Sequence, residues 1–494
     1  MACDTARKSP VADATLLCPF VPNRPAIASM VRIVSMDGKG MSQEFANEVR
    51  LLRAITPHLE LKPSAFDQAV KNFFRAPLAE GFSAHQRGLV RLLPPARGAF
   101  RELADALEKR FPEIARGTTA ASLHAELFDF LADRVAGRQP EMITADDVRS
   151  LHDHMLGWFR PEAGPLSLFI PCAITPWAAG RFQIGPVDFV FIDHVTQSDW
   201  YPPVTPDDML SRDSFDRILR HMRESHADWL ACVPVTGCEP QRADELAALS
   251  VDLAIVALQL VAPNLGTRTM CRLDARRGAA QKITLSRRGA YYGGGWTRQE
   301  PGSSIGTGTL ADILQTTRPV IAAVGNIVRS FASGDFRLPA LERAWCDAAY
   351  WLHEALAEPI DSIAVTKLET AIEVLVRAES TSRSNARILQ VLDVFYGLAP
   401  DDPIAPGSEI TARKFAKMCT EGRSRVLHGT SSTLHARLAS DRDALENFAI
   451  PVLRTAAVEL HAYAAAGPST DEIGAFLDWV RARRTAKFRP ATSA

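Results

Sequence analysis

The sequence predicts a mainly helical chain with an α+β middle domain and a C-terminal antiparallel helical bundle. Three observations predict this architecture. Apolar residues recur every three to four positions through most of the first 160 residues and again after residue 310, which is the spacing of buried helix faces. Short runs rich in β-branched and aromatic residues, separated by Pro and Gly, lie between these two regions. The late amphipathic segments are joined by short links, which favours antiparallel helices.

Residues 1–160 are expected to form a helical N-terminal region. From about residue 40 onward the apolar positions have helical spacing, and Phe100, Leu103, Leu107 and Phe111 mark one buried face. The Pro-Glu-Ala-Gly-Pro segment at residues 161–165 ends this pattern, because Pro and Gly interrupt helices. We therefore place a domain boundary at residue 161.

Residues 161–334 form the predicted α+β domain. The glycines at 293–295 are expected to form a turn or a flexible loop. Helical spacing predicts helices at residues 214–229 and 243–261. Strands are expected at residues 166–174, 182–192, 230–235, 271–273 and 283–285.

Residues 335–467 form the predicted bundle, and a helix with a basic tail follows at residues 468–494. Apolar stripes predict five bundle helices, with Asp361 placed to cap the second and Ser408 the fourth. Pro451 is expected to kink or restart the fifth helix, since proline lacks the N–H that a helix interior uses. The Ser-Thr-Asp-Glu run at residues 469–472 has the pattern of a capping box for the last helix.

The composition argues against several classes of protein. A formal net charge of -1 on 494 residues does not suit a general polyanion binder, so any nucleic-acid surface must be local. The eight cysteines are scattered, with no Cys-x-x-Cys pair, which supports neither a zinc site nor a disulfide scaffold. Residues 1–22 lack the apolar core of a signal peptide, and the most apolar stretch, residues 249–263, is too short to span a bilayer. We therefore expect a cytoplasmic protein that does not enter a membrane.

Residues 421–429 carry the most informative chemistry in the chain. Metal-free RNA cleavage needs a base that takes the proton of the ribose 2′-hydroxyl and a fixed cation beside the phosphate. Histidine titrates near neutral pH, while arginine keeps its charge and matches phosphate geometry. Arg423 and His428, five positions apart, supply this pair, and no metal or cofactor is expected.

Spacing alone does not single out this pair, but its context does. Gly429 directly after His428 predicts a helix end, which lets the two side chains converge although residues five apart on an ideal helix point about 140° away from each other. The same Arg-x(4–6)-His pattern occurs elsewhere without this context, at Arg53/His58, Arg149/His154, Arg220/His226 and Arg454/His461.

A local basic surface surrounds the pair. Between residues 411 and 437, Glu421 is the single acidic residue, as phosphate binding requires. Ser424 and Arg425 are expected to support the Arg423/His428 pair. Arg413, Lys414 and Lys417 are expected to bind the RNA. The alternative interpretation is a solvent-facing basic helix end on which Arg425 and His428 simply share one exposed face.

The run Arg423-Ser424-x-x-x-His428-Gly429 resembles the Arg-Ser/Asn-x-x-x-His-Gly signature of HEPN domains, in particular the Apea-like branch. Residues 341–356 resemble the opening helix of that branch, and residues 367–375 resemble its second helix, where a Glu occupies the place of Glu373. The resemblance covers roughly residues 335–467. It implies a homodimer through the bundle, in which two motifs face one cleft, and RNase activity linked to phage defence or toxin systems.

Glu373 has two interpretations. It can orient Arg423 or a catalytic histidine through a charged hydrogen bond. It can equally be a helical i,i+4 partner of Arg377.

Other motifs support chemistry less well. Residues 302–306 satisfy Gly-x-Ser-x-Gly, but polar residues and Pro301 precede them rather than an apolar strand, so Ser304 is expected in a polar loop. His152 and His154 are two apart on a helix and lack an evident third ligand, so surface or core positions are expected for them.

These observations predict a metal-independent endoribonuclease effector of a phage-defence or toxin-type system. His428 would act as general base or acid and Arg423 would stabilise the charged phosphate. An antitoxin or a phage-derived trigger is a further expected partner besides RNA. The alternative is a non-catalytic HEPN scaffold that binds a partner protein or a nucleotide. A third and more distant alternative is a serine hydrolase acting through Ser304.

Overall fold

The structure is a computed structural model in which most residues are helical and the middle of the chain forms a small antiparallel sheet. At this level the predicted mainly α fold with an α+β middle is confirmed. The residues that the structure describes are 45–62, 82–85, 88–202, 209–275, 280–299, 301–377, 380–405, 407–427 and 438–488.

The N-terminal part folds around a hydrophobic core of its own and contains a small sheet that the sequence analysis missed. Phe100, Leu103 and Leu107 are buried on one helix as predicted, whereas Phe111 follows the helix end. The helices are α1 (Ala46–Ile55), α2 (Arg97–Arg110), α3 (Pro112–Gly117), α4 (Ala120–Arg134) and α5 (Ala145–Glu162). Strands β1 (Leu59–Lys62), β2 (Phe82–His85) and β3 (Gly88–Leu92) pair antiparallel in the order β1-β3-β2. An alternation of four residues is too short to stand out against the helical spacing around it.

The middle of the chain forms a five-stranded antiparallel sheet in the order β5-β6-β7-β4-β8. The long helix predicted from residue 243 is present and packs on this sheet. The strands are β4 (Leu166–Ala173), β5 (Phe182–Ile184), β6 (Val187–Phe191), β7 (Trp229–Val235) and β8 (Cys271–Arg272), and the helices are α6 (Ile192–Val195), α7 (Met209–Glu224) and α8 (Pro240–Val261).

Two further strands form a separate hairpin, and here the sequence analysis was wrong about the glycine run. Residues 293–295 lie within β10 (Tyr291–Gln299), which pairs along its whole length with β9 (Ala280–Arg288). The turn lies at Gly289, whose φ of +63° is a conformation that glycine adopts without steric cost. Glycine inside a strand weakens the local signal because it has no side chain to pack.

The C-terminal part consists of helices, as predicted from their apolar stripes. One contiguous hydrophobic core extends from the sheet into these helices, from Ile170 to Val480. The helices are α9 (Thr307–Thr316), α10 (Arg318–Ser333), α11 (Pro339–Leu356), α12 (Asp361–Val376), α13 (Thr381–Tyr396), α14 (Ala412–Leu427), α15 (Ala439–Ala465) and α16 (Ile473–Phe488).

The predicted helix caps make other contacts in the structure. Asp361 is the first residue of α12 and accepts a hydrogen bond from Arg442 instead of capping the helix. The α14 N-terminus is capped by Thr411, whose Oγ1 accepts the Lys414 N–H, whereas Ser408 lies in the preceding loop. Local sequence favours a turn at each of these positions, but the packing of neighbouring helices selects the residue that caps.

Asp471 provides the clearest example of this selection. Its carboxylate accepts the backbone N–H groups of Ala340 and Leu341, with the Leu341 contact at 3.0 Å, and so caps α11 rather than the last helix. Of the two outcomes expected at Pro451, a kink or a restart, the restart does not occur, because α15 continues through this proline.

Candidate functional site

Helix α14 carries most of the residues that the sequence analysis singled out. The described helix extends to Leu427, the residue directly before His428. His428 itself lies outside the described residues, and so do the side chains of Arg423, Ser424 and Arg425. The convergence of Arg423 and His428 therefore stays a prediction, and the described part of α14 shows what surrounds the helix that bears them.

The predicted RNA-binding residues lie on the solvent-facing side of α14. Arg413, Lys414 and Lys417 are all exposed. Arg413 pairs with Asp401 at 3.3 Å, and both side chains are largely in water, where such a pair contributes little. A stripe of positively charged side chains therefore lies on the exposed surface at the start of the helix.

The opposite side of α14 is buried against helix α12. Cys419 is completely buried there, and burial raises the pKa of its thiol. The negative charges of Glu369 and Glu373 on α12 raise this pKa further, which places both carboxylates beside the buried face of α14. Glu369 is itself only 1% exposed. The sequence analysis did not single out Glu369, although its spacing of four residues from Glu373 puts both on one helix face.

Arg423 follows Cys419 by one helical turn, because residues four apart in sequence lie one turn apart on a helix.

Of the two interpretations of Glu373, the local pair with Arg377 is not formed. Arg377 ends α12 in the left-handed conformation, with φ of +49° and ψ of +51°, and it makes no ion pair with any residue that the structure describes. Glu373 instead lies close enough to α14 to affect Cys419.

Helix α14 is also held against α13 at the level of the predicted site. The Thr420 hydroxyl donates to Oδ1 of Asn385 at 3.2 Å, three residues before Arg423. The first half of α13 therefore lies beside the second half of α14, and the two helices pack along this stretch.

Three of the four other Arg–His pairs of similar spacing include a residue that makes a structural contact. Arg53 donates to the carbonyl of Ile143 at 2.9 Å and 3.2 Å, which ties α1 to the segment before α5. His154 Nε2 lies 2.7 Å from Glu126. Nδ1 of His461 lies 3.2 Å from the Asn326 amide nitrogen. In each of these contacts the guanidinium or imidazole group is bound to another part of the protein, whereas in a catalytic pair it must be accessible to substrate.

The remaining motifs occupy the positions that the sequence analysis favoured. Ser304 is exposed in the loop before α9, and although strand β10 precedes this loop, that strand belongs to the separate hairpin. His152 is buried with its ring against Phe45 and Phe111. In the described part of the chain, no group of three or more His, Cys, Asp or Glu residues could hold a metal ion.

A buried charged network, which the sequence analysis did not anticipate, joins the sheet domain to the bundle. Arg272 on β8 donates to both carboxylate oxygens of Asp252 on α8, and Asp252 is 3% exposed. Burial lowers the pKa of Arg272, but its hydrogen bond to Asp252 and the charges of Asp252 and Asp274 outweigh burial, so the net shift is upward. Arg272 therefore stays charged.

His353 on α11 completes this network. The Gln259 amide nitrogen donates to the Thr267 carbonyl at 3.0 Å, so the Gln259 oxygen is left to accept from Nδ1 of His353, also at 3.0 Å. The other ring nitrogen, Nε2, then faces Asp252 at 3.7 Å. Asp252, Arg272 and His353 border a cavity of about 510 Å³ that is also lined by Tyr350, Glu354 and Lys367. Carboxylates and cations in this cavity already pair with each other, which argues for a structural role.

Comparisons with known proteins found no counterpart for this chain: no family model, no curated protein and no solved structure matches it. Within the described ranges, none of the helices combines the length and the apolar character that crossing a bilayer requires.

Proposed function

We propose that this protein is a metal-independent endoribonuclease of the HEPN type, with Arg423 and His428 as its catalytic residues. The observation that carries the proposal is the acidic face of α12, where Glu369 and Glu373 lie beside the buried side of the helix that bears Arg423. A buried carboxylate needs a cation or hydrogen-bond donors, and Arg423 is the next cationic residue along that side of α14. In this arrangement Glu373 holds the Arg423 guanidinium in one orientation.

The chemistry uses groups of the RNA and of the protein alone. His428 removes the proton from a ribose 2′-hydroxyl, and the oxygen attacks the adjacent phosphorus. The bond from phosphorus to the 5′-oxygen of the next nucleotide breaks, and that oxygen takes a proton from an imidazolium. The products are a 2′,3′-cyclic phosphate and a 5′-hydroxyl end. Arg423 stabilises the negative charge that develops on the phosphate oxygens.

We further propose a homodimer through the bundle, because one Arg–His pair supplies a base but no separate acid. Two motifs that face one cleft supply both. Two-fold symmetry is also the commonest association of identical chains. We propose that such an enzyme acts in the cytoplasm as a toxin or phage-defence effector and stays inactive until a trigger acts.

RNA degradation in the presence of EDTA tests the proposal. The purified full chain is expected to cut single-stranded RNA in the chelator and to leave 2′,3′-cyclic phosphate ends, while the deoxyribose strand of the same sequence stays intact. A strict need for a divalent ion, or equal cleavage of the DNA strand, would contradict the mechanism. RNA binding without any cleavage would favour the non-catalytic scaffold.

A further inference from the structure

The hairpin formed by β9 and β10 is exposed on both of its faces. Every residue from 284 to 295 is exposed, and the two strands form a sheet of their own. The three most exposed large apolar side chains in the described part of the chain lie here, with Leu285 at 77%, Tyr291 at 82% and Tyr292 at 66%. A hairpin of two strands is only marginally stable by itself, and exposed apolar side chains grouped in one place usually mark an interaction site.

The charge of this segment favours an anionic partner. Between Asp274 and Glu300 the sequence has no acidic residue and six cationic ones, which are Arg276, Arg277, Lys282, Arg287, Arg288 and Arg298. The whole chain has 56 Lys and Arg against 57 Asp and Glu, so this excess is local. The same charge on each copy also opposes edge-to-edge pairing of two such hairpins. Charge complementarity therefore favours an anion over a second copy of this chain.

Each face of the hairpin combines a tyrosine with an arginine. Tyr292 and Arg287 are cross-strand partners, and the Arg287 guanidinium carbon lies 5.4 Å from the centre of the Tyr292 ring. Nε of Arg287 donates to the Gly289 carbonyl at 2.9 Å, which holds this side chain near the turn. Tyr291 and Arg288 are the corresponding cross-strand partners on the opposite face. An exposed ring beside a guanidinium offers a stacking surface for a nucleic-acid base and a cation for its phosphate.

The strand leaves space next to the Tyr292 ring. Gly294 follows Tyr292 by two residues, so it lies on the same face of β10, opposite Leu285. A Cβ at Gly294 would come no closer than 3.9 Å to another residue, so packing does not require a glycine there. Because residue 294 has no side chain, a flat base can lie beside the Tyr292 ring and against Leu285.

We propose that the β9–β10 hairpin binds single-stranded RNA, with bases stacked on Tyr291 and Tyr292 and phosphates bound by Arg287 and Arg288. Aromatic rings on a cationic surface bind single strands with little sequence preference, because every base has a π-face. An acidic peptide would use the charges but not the rings, so the rings favour nucleic acid. Stacking and phosphate contacts do not involve the 2′-hydroxyl, and the choice of RNA therefore rests on the proposed function.

Binding of a fluorescent single-stranded oligoribonucleotide to the full chain carrying His428→Ala tests the hairpin, because this chain keeps the hairpin and lacks the proposed catalytic base. Tyr291→Ala and Tyr292→Ala are each expected to weaken binding about tenfold, as the loss of one stacked base would. Tyr292→Phe should bind like the parent chain, because stacking uses the ring and not the hydroxyl. Arg287→Gln and Arg288→Gln should each reduce the slope of log affinity against log salt by about 0.7.

Two exposed residues outside the hairpin provide matched controls. Trp177→Ala removes an aromatic ring that is 55% exposed, and Arg318→Gln removes an exposed cation on α10. Both variants should bind the oligoribonucleotide like the parent chain. A duplex of the same RNA sequence should bind the parent chain more weakly, because its bases are already stacked within the duplex. Circular dichroism checks that each variant folds.

Unchanged RNA affinity in the folded Tyr291→Ala and Tyr292→Ala variants overturns the proposal, and so does an equal loss in the two controls or equally tight binding of the duplex. A change of oligomeric state in the tyrosine variants, with intact RNA binding, assigns the surface to a second copy of the chain instead. Cleavage assays on chains that keep His428 distinguish binding by the hairpin from catalysis. RNA that is bound through the hairpin but stays intact contradicts only the proposed function, whereas cleavage with an unchanged KM in the tyrosine variants contradicts only the role of the hairpin.

Discussion

Asp252 holds Arg272 through two hydrogen bonds, from Nε to Oδ1 at 2.9 Å and from Nη2 to Oδ2 at 3.1 Å. The pair joins helix α8 to strand β8 at the place where the sheet meets the bundle, with side-chain exposures of 14% for Arg272 and 4% for Asp252. His353 of the bundle lies against the same carboxylate. The two parts of the chain are therefore connected by buried charges as well as by apolar packing.

The first prediction concerns how much the buried pair of Asp252 and Arg272 contributes to the stability of the protein. Asp252→Ala leaves Arg272 charged and buried without its main partner, so we expect the free energy of unfolding to fall by about 3–5 kcal/mol in urea titrations. Asp252→Leu combined with Arg272→Met should recover much of this loss, because it removes both charges. The control is Asp213→Ala, which breaks an exposed pair with Arg217 and should cost less than about 1 kcal/mol. Equal losses at the two sites would argue against the buried network.

The second prediction tests the catalytic pair. Arg423→Ala and His428→Ala should each lower RNA cleavage by roughly 10²–10⁴-fold, the usual contribution of a general base or acid. Arg454→Ala and His461→Ala are the matched controls, because they carry a similar Arg–His spacing on α15, where both residues are exposed. Circular dichroism checks that all four variants fold. Full activity in a folded Arg423 or His428 variant would contradict the assignment.

The third prediction concerns Glu373 as a positioning residue. Glu373→Gln removes the charge that is proposed to orient Arg423, so kcat should fall about tenfold while KM changes little. Glu373→Asp keeps the charge and should recover part of the activity. A purely structural role would instead lower the thermal unfolding temperature of both variants and leave the activity of the folded fraction intact.

The fourth prediction tests whether the site is shared between two chains. Wild-type chains are mixed and re-equilibrated with an excess of His428→Ala chains, and cleavage is measured against the wild-type fraction. A site that needs one histidine from each chain should lose activity with the square of that fraction. A strictly proportional decline would mean that each chain works alone.

The fifth prediction is a pH dependence in the N-terminal part. Burial raises the pKa of Asp147, but hydrogen bonds from Arg138 and from the Thr144 N–H outweigh burial and hold it below its usual 3.8. A carboxyl with a lowered pKa in the folded state stabilises the protein above pH 3.8, and this stabilisation disappears as the pH falls through the folded pKa.

Asp147→Asn should therefore lower the free energy of unfolding by about 1 kcal/mol at neutral pH, as the loss of a capping box would. The difference from the wild type should shrink in titrations below pH 3.8. Asp146→Asn is the control, because Asp146 lies at the same helix end but is 76% exposed and has no part in the capping box. A difference that stays constant with pH would contradict the role assigned to the Asp147 charge.

Strong periodic patterns could be predicted well because they depend on short-range spacing. Helix α8 and strand β7 begin and end within a few residues of their predicted positions, since each contains a run of buried, mostly apolar residues that stands out from the segments around it. The stripe of exposed cations on α14 was also predictable, because Arg413, Lys414 and Lys417 are close in sequence. The hairpin of β9 and β10 was missed in part because three glycines in a row carry no strand signal.

The sequence by itself predicted the helical character of the C-terminal part and singled out Arg423 and His428 by the chemistry of their side chains. Its near-neutral net charge also indicated that any anion-binding site must be a local surface. Tertiary structure alone decided which residues act together. Asp471 caps a helix that begins 132 residues earlier at Pro339, and Asp252, Arg272 and His353 meet although 101 residues separate the first from the last. Contacts of this kind depend on how helices and strands pack against each other. They are favoured because burial makes an unpaired charge costly, and the partner that pairs with it is distant in sequence.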